Sequence, residues 1–234
     1  MLRILHKDEH LVAIDKPAGL LVHRSQLDPQ ERRFAMQMLR DQLGQPVWPV
    51  HRLDKGTSGV LLFALSAEVA GMVGPVFEQG LTKKRYQALV RGWPAEEQGR
   101  IEHPLARDPE QPSAGQTMLA ARTDWQMLRR LEWPLVTDAR FPTSRFALLE
   151  LHPHQGRRHQ IRRHLKHIAH PIIGDATHGK GPLNRAVAAH VGLQRLWLHA
   201  LELALDHPVS GERLTLQAEA GPEWNSLLLL DHAQ

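Results

Sequence analysis

A chain of 234 residues, 42% hydrophobic and 23% charged, has the make-up of an ordinary soluble globular protein and is long enough to bury a substantial core. It contains no cysteine, which excludes disulfides, thiolate zinc sites and cysteine nucleophiles and fits a reducing cytoplasm. No apolar run approaches the roughly 20 residues of a membrane helix, and a net charge of +4 gives only a mild bias toward anionic partners.

The first residues predict a hairpin: Leu2 to His6, a polar turn at Lys7-Asp8-Glu9, then Leu11 to Ile14. Lys16-Pro17-Ala18-Gly19 reads as a turn, and Glu31 to Leu43 as a helix stopped by Gly44. Gly59 to Leu65 is an apolar run suited to a central strand, Ala67 to Gln79 a helix, and Arg85 to Arg91 an alternating strand. From Trp93 to about Gln116 proline and glycine recur, which predicts an excursion from the core. Strands resume at Arg122 to Leu131 and Ser144 to Leu151.

Ile161, Leu165 and Ile168 recur at the spacing of one helix face, with Arg158, Arg162 and Lys166 as a cationic stripe beside it. Gly174 to Leu193 reads as a glycine-containing loop, followed by strands at Arg195 to His199, Leu201 to Leu205 and Arg213 to Leu216. Short strands mixed with a few helices, without regular βαβ alternation, predict an α+β fold with a mixed, largely antiparallel central sheet and flanking helices. No linker or repeat stands out, so residues 1–234 read as one domain.

The charge is unevenly placed. Leu151 to Gly174 holds no acidic residue, yet carries Arg157, Arg158, Arg162, Arg163 and Lys166 among several histidines. A second cluster, Lys83-Lys84-Arg85, precedes Tyr86, the only tyrosine. Two basic patches, one bearing an aromatic ring, resemble a nucleic-acid footprint.

Other motifs fall away. Gly174 to Lys180 has the spacing G-x-x-x-x-G-K, but Gly181 stands where a phosphate-binding loop needs a magnesium-binding hydroxyl, and no clear helix starts there. The histidines at 152, 154, 159, 164, 167 and 170 lie among arginines that would repel a metal cation, so no metal is expected. Gly56-Thr57-Ser58-Gly59 is not the G-x-S-x-G nucleophile turn, and His51-Arg52-Leu53-Asp54 is not the kinase H-R-D loop.

Asp54 stands beside Arg52 and Lys55, just ahead of the apolar run. Charge in such a place is paired for structure or put to use, and spacing alone leaves both readings open. A carboxylate for chemistry, an aromatic ring for stacking and cations for phosphate together suit a flipped-out base.

The segments that carry these residues resemble the RNA pseudouridine synthases of the RluA type. The matches are KPAGLLVH at 16 to 23, HRLDKGTSGVLL at 51 to 62, KRYQALVRG at 84 to 92, GRRHQIRRHL at 156 to 165, HPIIGD at 170 to 175 and LHA at 198 to 200. The resemblance implies a cofactor-free isomerase that breaks the N-glycosidic bond of a uridine in folded RNA, turns the base and rejoins it through carbon. It makes Asp54 the catalytic residue, has Tyr86 stack on the target base, pairs Arg162 with the aspartate, and has Arg52 help fill the space the flipped base leaves. Arg157, Arg158 and His159, in the basic stretch of the same element, are expected to bind substrate. One departure is Gln155-Gly156-Arg157-Arg158, where the family usually has Thr-Gly-Arg-Thr or similar.

Within the family, the short length, PTSRF at 142 to 146 and GLQRLWLHA at 192 to 200 are most similar to the subgroup that acts on uridine 65 of tRNA. Relatives of similar length modify ribosomal RNA, which is the alternative substrate. A reading from another class is an RNA-binding module without the reaction. The length leaves no room for the additional N-terminal RNA-binding domain that several relatives carry, and a monomer is expected.

Overall fold

The computed structural model describes residues 1–24 and 30–231. In chain order the first half runs β1 (Arg3–Lys7), β2 (Leu11–Lys16), α1 (Ala35–Leu43), β3 (Trp48–Pro49), β4 (Ser58–Ala64), α2 (Ala67–Glu78), β5 (Lys83–Arg91), β6 (Gln98–Glu102) and β7 (Leu105–Ala106). The second half runs β8 (Met118–Leu119), β9 (Arg122–Trp133), β10 (Ser144–Pro153), α3 (Gln160–His167), α4 (Gly181–Val191), β11 (Leu198–Asp206), β12 (Arg213–Gln217) and α5 (Pro222–Leu229). The fold is α+β, with a mixed, largely antiparallel sheet and flanking helices. Contacts gather the chain into two compact units, Met1–Lys84 with Ala200–Glu219, and Arg85–His199 with Ala220–Gln234.

In the first unit β2 pairs antiparallel with β1 on one side and with β4 on the other, from Leu11↔Ala64 to Lys16↔Gly59. β4 is buried along all seven residues, which is why its sequence is a continuous apolar run rather than an alternating one. Leu11, Ala13, Val60 and Leu62 meet Leu203, Leu205 and the α2 residues Val69 and Val73 in one cluster. Each such valine contributes about 1.5–3 kcal/mol by leaving water. α2 starts where the Ser66 hydroxyl accepts the Val69 N–H at 3.1 Å, an N-cap.

α1 ends as expected at Gly44, whose left-handed backbone (φ 69°) lets its N–H reach the Arg40 carbonyl. It begins later than Glu31, because Phe34 is extended, buried and bridged to Leu21.

In the second unit β10 pairs antiparallel with β5 and β9, and β6 extends the ladder from β9. Alternation along the strands feeds two cores. Ala88, Val90, Ala147, Leu149 and Leu151 face α3 through Ile161 and Leu165, while Leu89 and Phe146 face α4 and α5 through Val187, Trp224 and Leu227. β9 serves both faces with residues of one parity: Trp125 and Met127 on the first, Leu131 and Trp133 on the second. A bulge makes this possible, since Leu148 pairs with Arg129 and Leu149 with Met127, leaving Leu128 out of register and exposed.

Several elements depart from the sequence reading. The 93–116 stretch supplies β6, whose Ile101 is buried in the core, so it is not wholly an excursion. The expected loop from Gly174 to Leu193 contains α4, hidden in the sequence by the glycines before it although Leu183, Val187 and Val191 recur every fourth residue. A helix therefore does begin after Lys180. The strands expected on either side of Ala200 are one, β11, and α5 begins at Pro222, after Gly221, where no helix was expected.

Candidate active site

Asp54 lies half-buried in the turn that joins β3 to β4. The Thr57 N–H donates to its carbonyl at 3.0 Å, closing the turn, and Thr57 and Ser58 are buried beneath it. The next carbonyl, that of Lys55, accepts from the Gly19 N–H at 2.8 Å and from the Lys16 ammonium at 3.2 Å. Lys16 is fully buried, and its ammonium also donates to the carbonyls of Pro17 and Leu20 at 2.9 and 2.8 Å. The KPAG and HRLD segments are thus sewn together by backbone oxygens around one buried cation, which costs far less than an unsatisfied one.

On the far side of the turn Gly59 has φ 108°, and a Cβ there would stand 2.2 Å from the Ala200 carbonyl oxygen. Lys55 is bridged to Glu31 at 3.2 Å, and Arg52 is exposed. In the same unit burial pushes the Lys84 ammonium down to about 8, so it still carries its charge at neutral pH.

In the second unit Tyr86 is half-buried on β5, opposite Leu151 of β10, with its ring against the α3-side core. Its neighbour Arg85 bridges Glu150 at 3.2 Å. Arg157, Arg158 and His159 come together in the turn that leads into α3. His159 occupies the N-cap position with a left-handed backbone (φ 55°), and its Nδ1 shares a hydrogen bond with Nε2 of His178 at 3.0 Å. Gln160 stitches the turn: its Oε1 accepts the Arg157 N–H, and its amide donates to the Arg122 carbonyl and the Thr123 hydroxyl. Gln155, the departure noted in the sequence, has a definite task, since its Oε1 accepts the Arg122 N–H at 2.7 Å where β9 begins.

The cationic stripe expected along α3 does not form. The left-handed residue at 159 breaks the helical phase, so Arg158 precedes the helix and is bridged to Asp108 at 3.3 Å and to Glu110. Arg162 is buried, donating through Nε and Nη2 to Asp175 Oδ2 and Oδ1 at 2.7 and 2.9 Å, and Lys166 is exposed. Burial by itself raises the Asp175 carboxyl, but the Arg162 hydrogen bonds and charge, with the His178 and Thr177 N–H groups, outweigh it and hold the carboxyl below its ordinary 3.8. The charged form of each partner is thereby fixed.

Asp175 and Lys16 are the residues that sequence reasoning gave no role. A signal for Asp175 was there: it is the first acid after the acid-free basic stretch.

The histidines have structural partners. His164 is buried between the Thr123 hydroxyl at 2.9 Å and the His103 carbonyl at 3.0 Å, and the His103 and His167 rings stack 3.8 Å apart. Burial pushes His164 and His178 below the usual histidine range. Among the described residues no group of three or more histidines and carboxylates could hold a metal ion. The G-x-x-x-x-G-K glycines answer to packing: a Cβ at Gly174 would meet the Arg195 carbonyl and one at Gly179 the Asp175 carbonyl.

The strand ladders and flanking helices define an α+β fold, and comparison with known proteins gives the family. The model of the RNA pseudouridylate synthase family matches residues 10–167. The chain is 46% identical to tRNA pseudouridine synthase C of Vibrio cholerae serotype O1 over 233 residues, covering 97% of this chain and 95% of that protein. It is equally 46% identical to tRNA pseudouridine synthase C of Pasteurella multocida, with the same coverage. Among solved structures, human RNA pseudouridylate synthase domain containing 4 superposes with a TM-score of 0.69 at 27% identity, over 97% of this chain and 92% of that one. The chain belongs to the RNA pseudouridylate synthase family. It is an RNA pseudouridine synthase, an isomerase.

Proposed function

We propose that the chain isomerises a uridine of tRNA, that at position 65, to pseudouridine. The observation that carries this reading is the likeness, nearly end to end, to proteins named tRNA pseudouridine synthase C. Asp54 is the catalytic group. Ionised, it can attack a carbon or accept a proton; protonated, it could do neither. The turn that bears it is fixed by backbone hydrogen bonds at Lys55 and Thr57, the preorganisation that a reacting group needs.

The remaining residues act on substrate. Tyr86 stacks on the extruded base, Arg52 fills the gap that base leaves, and Arg157, Arg158 and His159 meet backbone phosphate. Arg162 serves as a cation whose fork is set by Asp175. The reaction conserves composition: the bond from C1′ to N1 breaks, one from C1′ to C5 forms, and the proton lost at C5 is matched by one gained at N1. No cofactor is called for, and the enzyme works as a monomer.

The test uses purified protein, an unmodified tRNA transcript and position-by-position mapping of pseudouridine. The expected product carries pseudouridine at position 65 alone, and Asp54→Asn removes it while tRNA binding stays within about threefold, because charge is lost and shape kept. Modification of a ribosomal RNA fragment in preference to tRNA would overturn the substrate, and substantial turnover by Asp54→Asn would overturn the role.

A further inference from the structure

We propose that His51 is a positioning residue of this reaction: its imidazole takes over as hydrogen-bond acceptor for β4 where β3 stops, and so fixes where Asp54 stands. The hand-over is visible in the ladder. β3 pairs with β4 only at Trp48↔Ala64 and Pro49↔Phe63, and Pro49, lacking an N–H, suits the end of a strand. The next position on that edge of β4 is served by a side chain, since the Leu62 N–H donates to Nε2 of His51 at 2.9 Å.

The chain is thereby released from the sheet at 51 yet pinned to it, three residues before Asp54. The second face of the clamp is α2, whose Phe77 stacks on the imidazole with ring centroids 4.6 Å apart and planes 9° from parallel. From the other end the same turn is held at Lys55 by Gly19 and Lys16. Asp54 is therefore bracketed by an anchor on each side, and the one at His51 is a side chain of the turn itself.

An Nε2 that accepts carries its proton on Nδ1, and a protonated ring could not accept at all. Burial, with the charge of Lys84 added, pushes His51 down to about 3, so the acceptor is preserved throughout the working pH range. A main-chain carbonyl in its place would have carried the strand onward, and the turn bearing Asp54 would start elsewhere. Displacements of about 1 Å in a reacting group cost on the order of 100-fold in rate.

The inference rests on Asp54 being the catalytic group, and Asp54→Asn is measured alongside to separate the two. The variants are His51→Phe, which keeps a planar ring on Phe77 without an acceptor, and His51→Gln, which restores an acceptor without the ring. Each is assayed on the unmodified tRNA transcript for kcat, KM and tRNA affinity. His51→Phe is expected to lose about 10- to 100-fold in kcat with tRNA affinity within about twofold, and His51→Gln to stay within tenfold of wild type. Wild-type kcat in His51→Phe, equal losses in both variants, or a loss confined to tRNA affinity would overturn the role.

If His51→Phe does not fold, His51→Gln decides alone: a kcat within tenfold supports the acceptor and a larger loss in a folded protein overturns it. An inactive Asp54→Asn beside a fully active His51→Phe removes only this inference. An active Asp54→Asn removes the reading beneath it.

Discussion

Asp175→Asn takes one negative charge from a pair in which the carboxylate is 1% exposed and the arginine side chain 10%. Oδ1 of Asp175 serves three donors, Arg162 Nη2 and the N–H groups of Thr177 and His178, while Oδ2 serves Arg162 Nε. An asparagine has one oxygen for these two places and must turn its NH2 toward either the guanidinium or the backbone donors. The buried guanidinium loses the counter-charge of Asp175, a loss of about 3–5 kcal/mol. For a chain of this size each kcal/mol lowers Tm by roughly 2–4 °C, so the melt should fall by about 6–20 °C. Differential scanning calorimetry at neutral pH reads it directly.

The pH dependence has a fixed sign. Because the folded carboxyl titrates below its ordinary 3.8, its contribution is complete above that pH and fades as pH falls through the lower folded value. Asp175→Asn should therefore lack that part of the acid limb. The double variant Arg162→Met with Asp175→Leu should regain most of the stability, since it removes both charges of this pair together. It should not regain activity. A Tm within about 2 °C of wild type in Asp175→Asn would refute the reasoning.

Two further outcomes follow from the packing and charge of the same segments. Gly59→Ala forces a Cβ against the Ala200 carbonyl at a backbone angle that L-residues avoid, and should lose about 3 kcal/mol or more in urea unfolding; a wild-type midpoint would contradict the close approach. Replacing Asp108 by Asn together with Glu110 by Gln releases Arg158 from two carboxylates, and tRNA binding at low salt should tighten severalfold. Unchanged affinity in a filter-binding titration would mean that Arg158 does not meet phosphate.

How far the sequence spoke depended on whether the signal was local. Gly44 ended α1 because a left-handed residue is a local demand, and β4 was readable because burial on both faces leaves an unbroken apolar run. Tyr86 and the residues before α3 stood out by composition. What stayed hidden depended on distant partners. Phe34 looks helical by spacing, but its bridge to Leu21 keeps it extended. Arg158 and Arg162 seemed one stripe until a left-handed His159 divided them and separate acids, Asp108 with Glu110 and Asp175, took each away from the surface. The G-x-x-x-x-G-K spacing was set aside for want of a hydroxyl at 181, but that its glycines make room for carbonyl groups of the same unit was not legible.

The bulge at Leu128 gives β9 a property that no single alternating pattern describes. Its two ends are phased like different strands spliced in one chain, and each end is committed to a different layer of helices. A slide of one residue at either end would turn tryptophans outward on that face, so the register is doubly locked. In the history of such a chain, side chains on β9 can be exchanged one at a time, but its length is not free to change. Variation in length is left to the turns, and the layer carrying α3 keeps its place above the strands whatever those turns become.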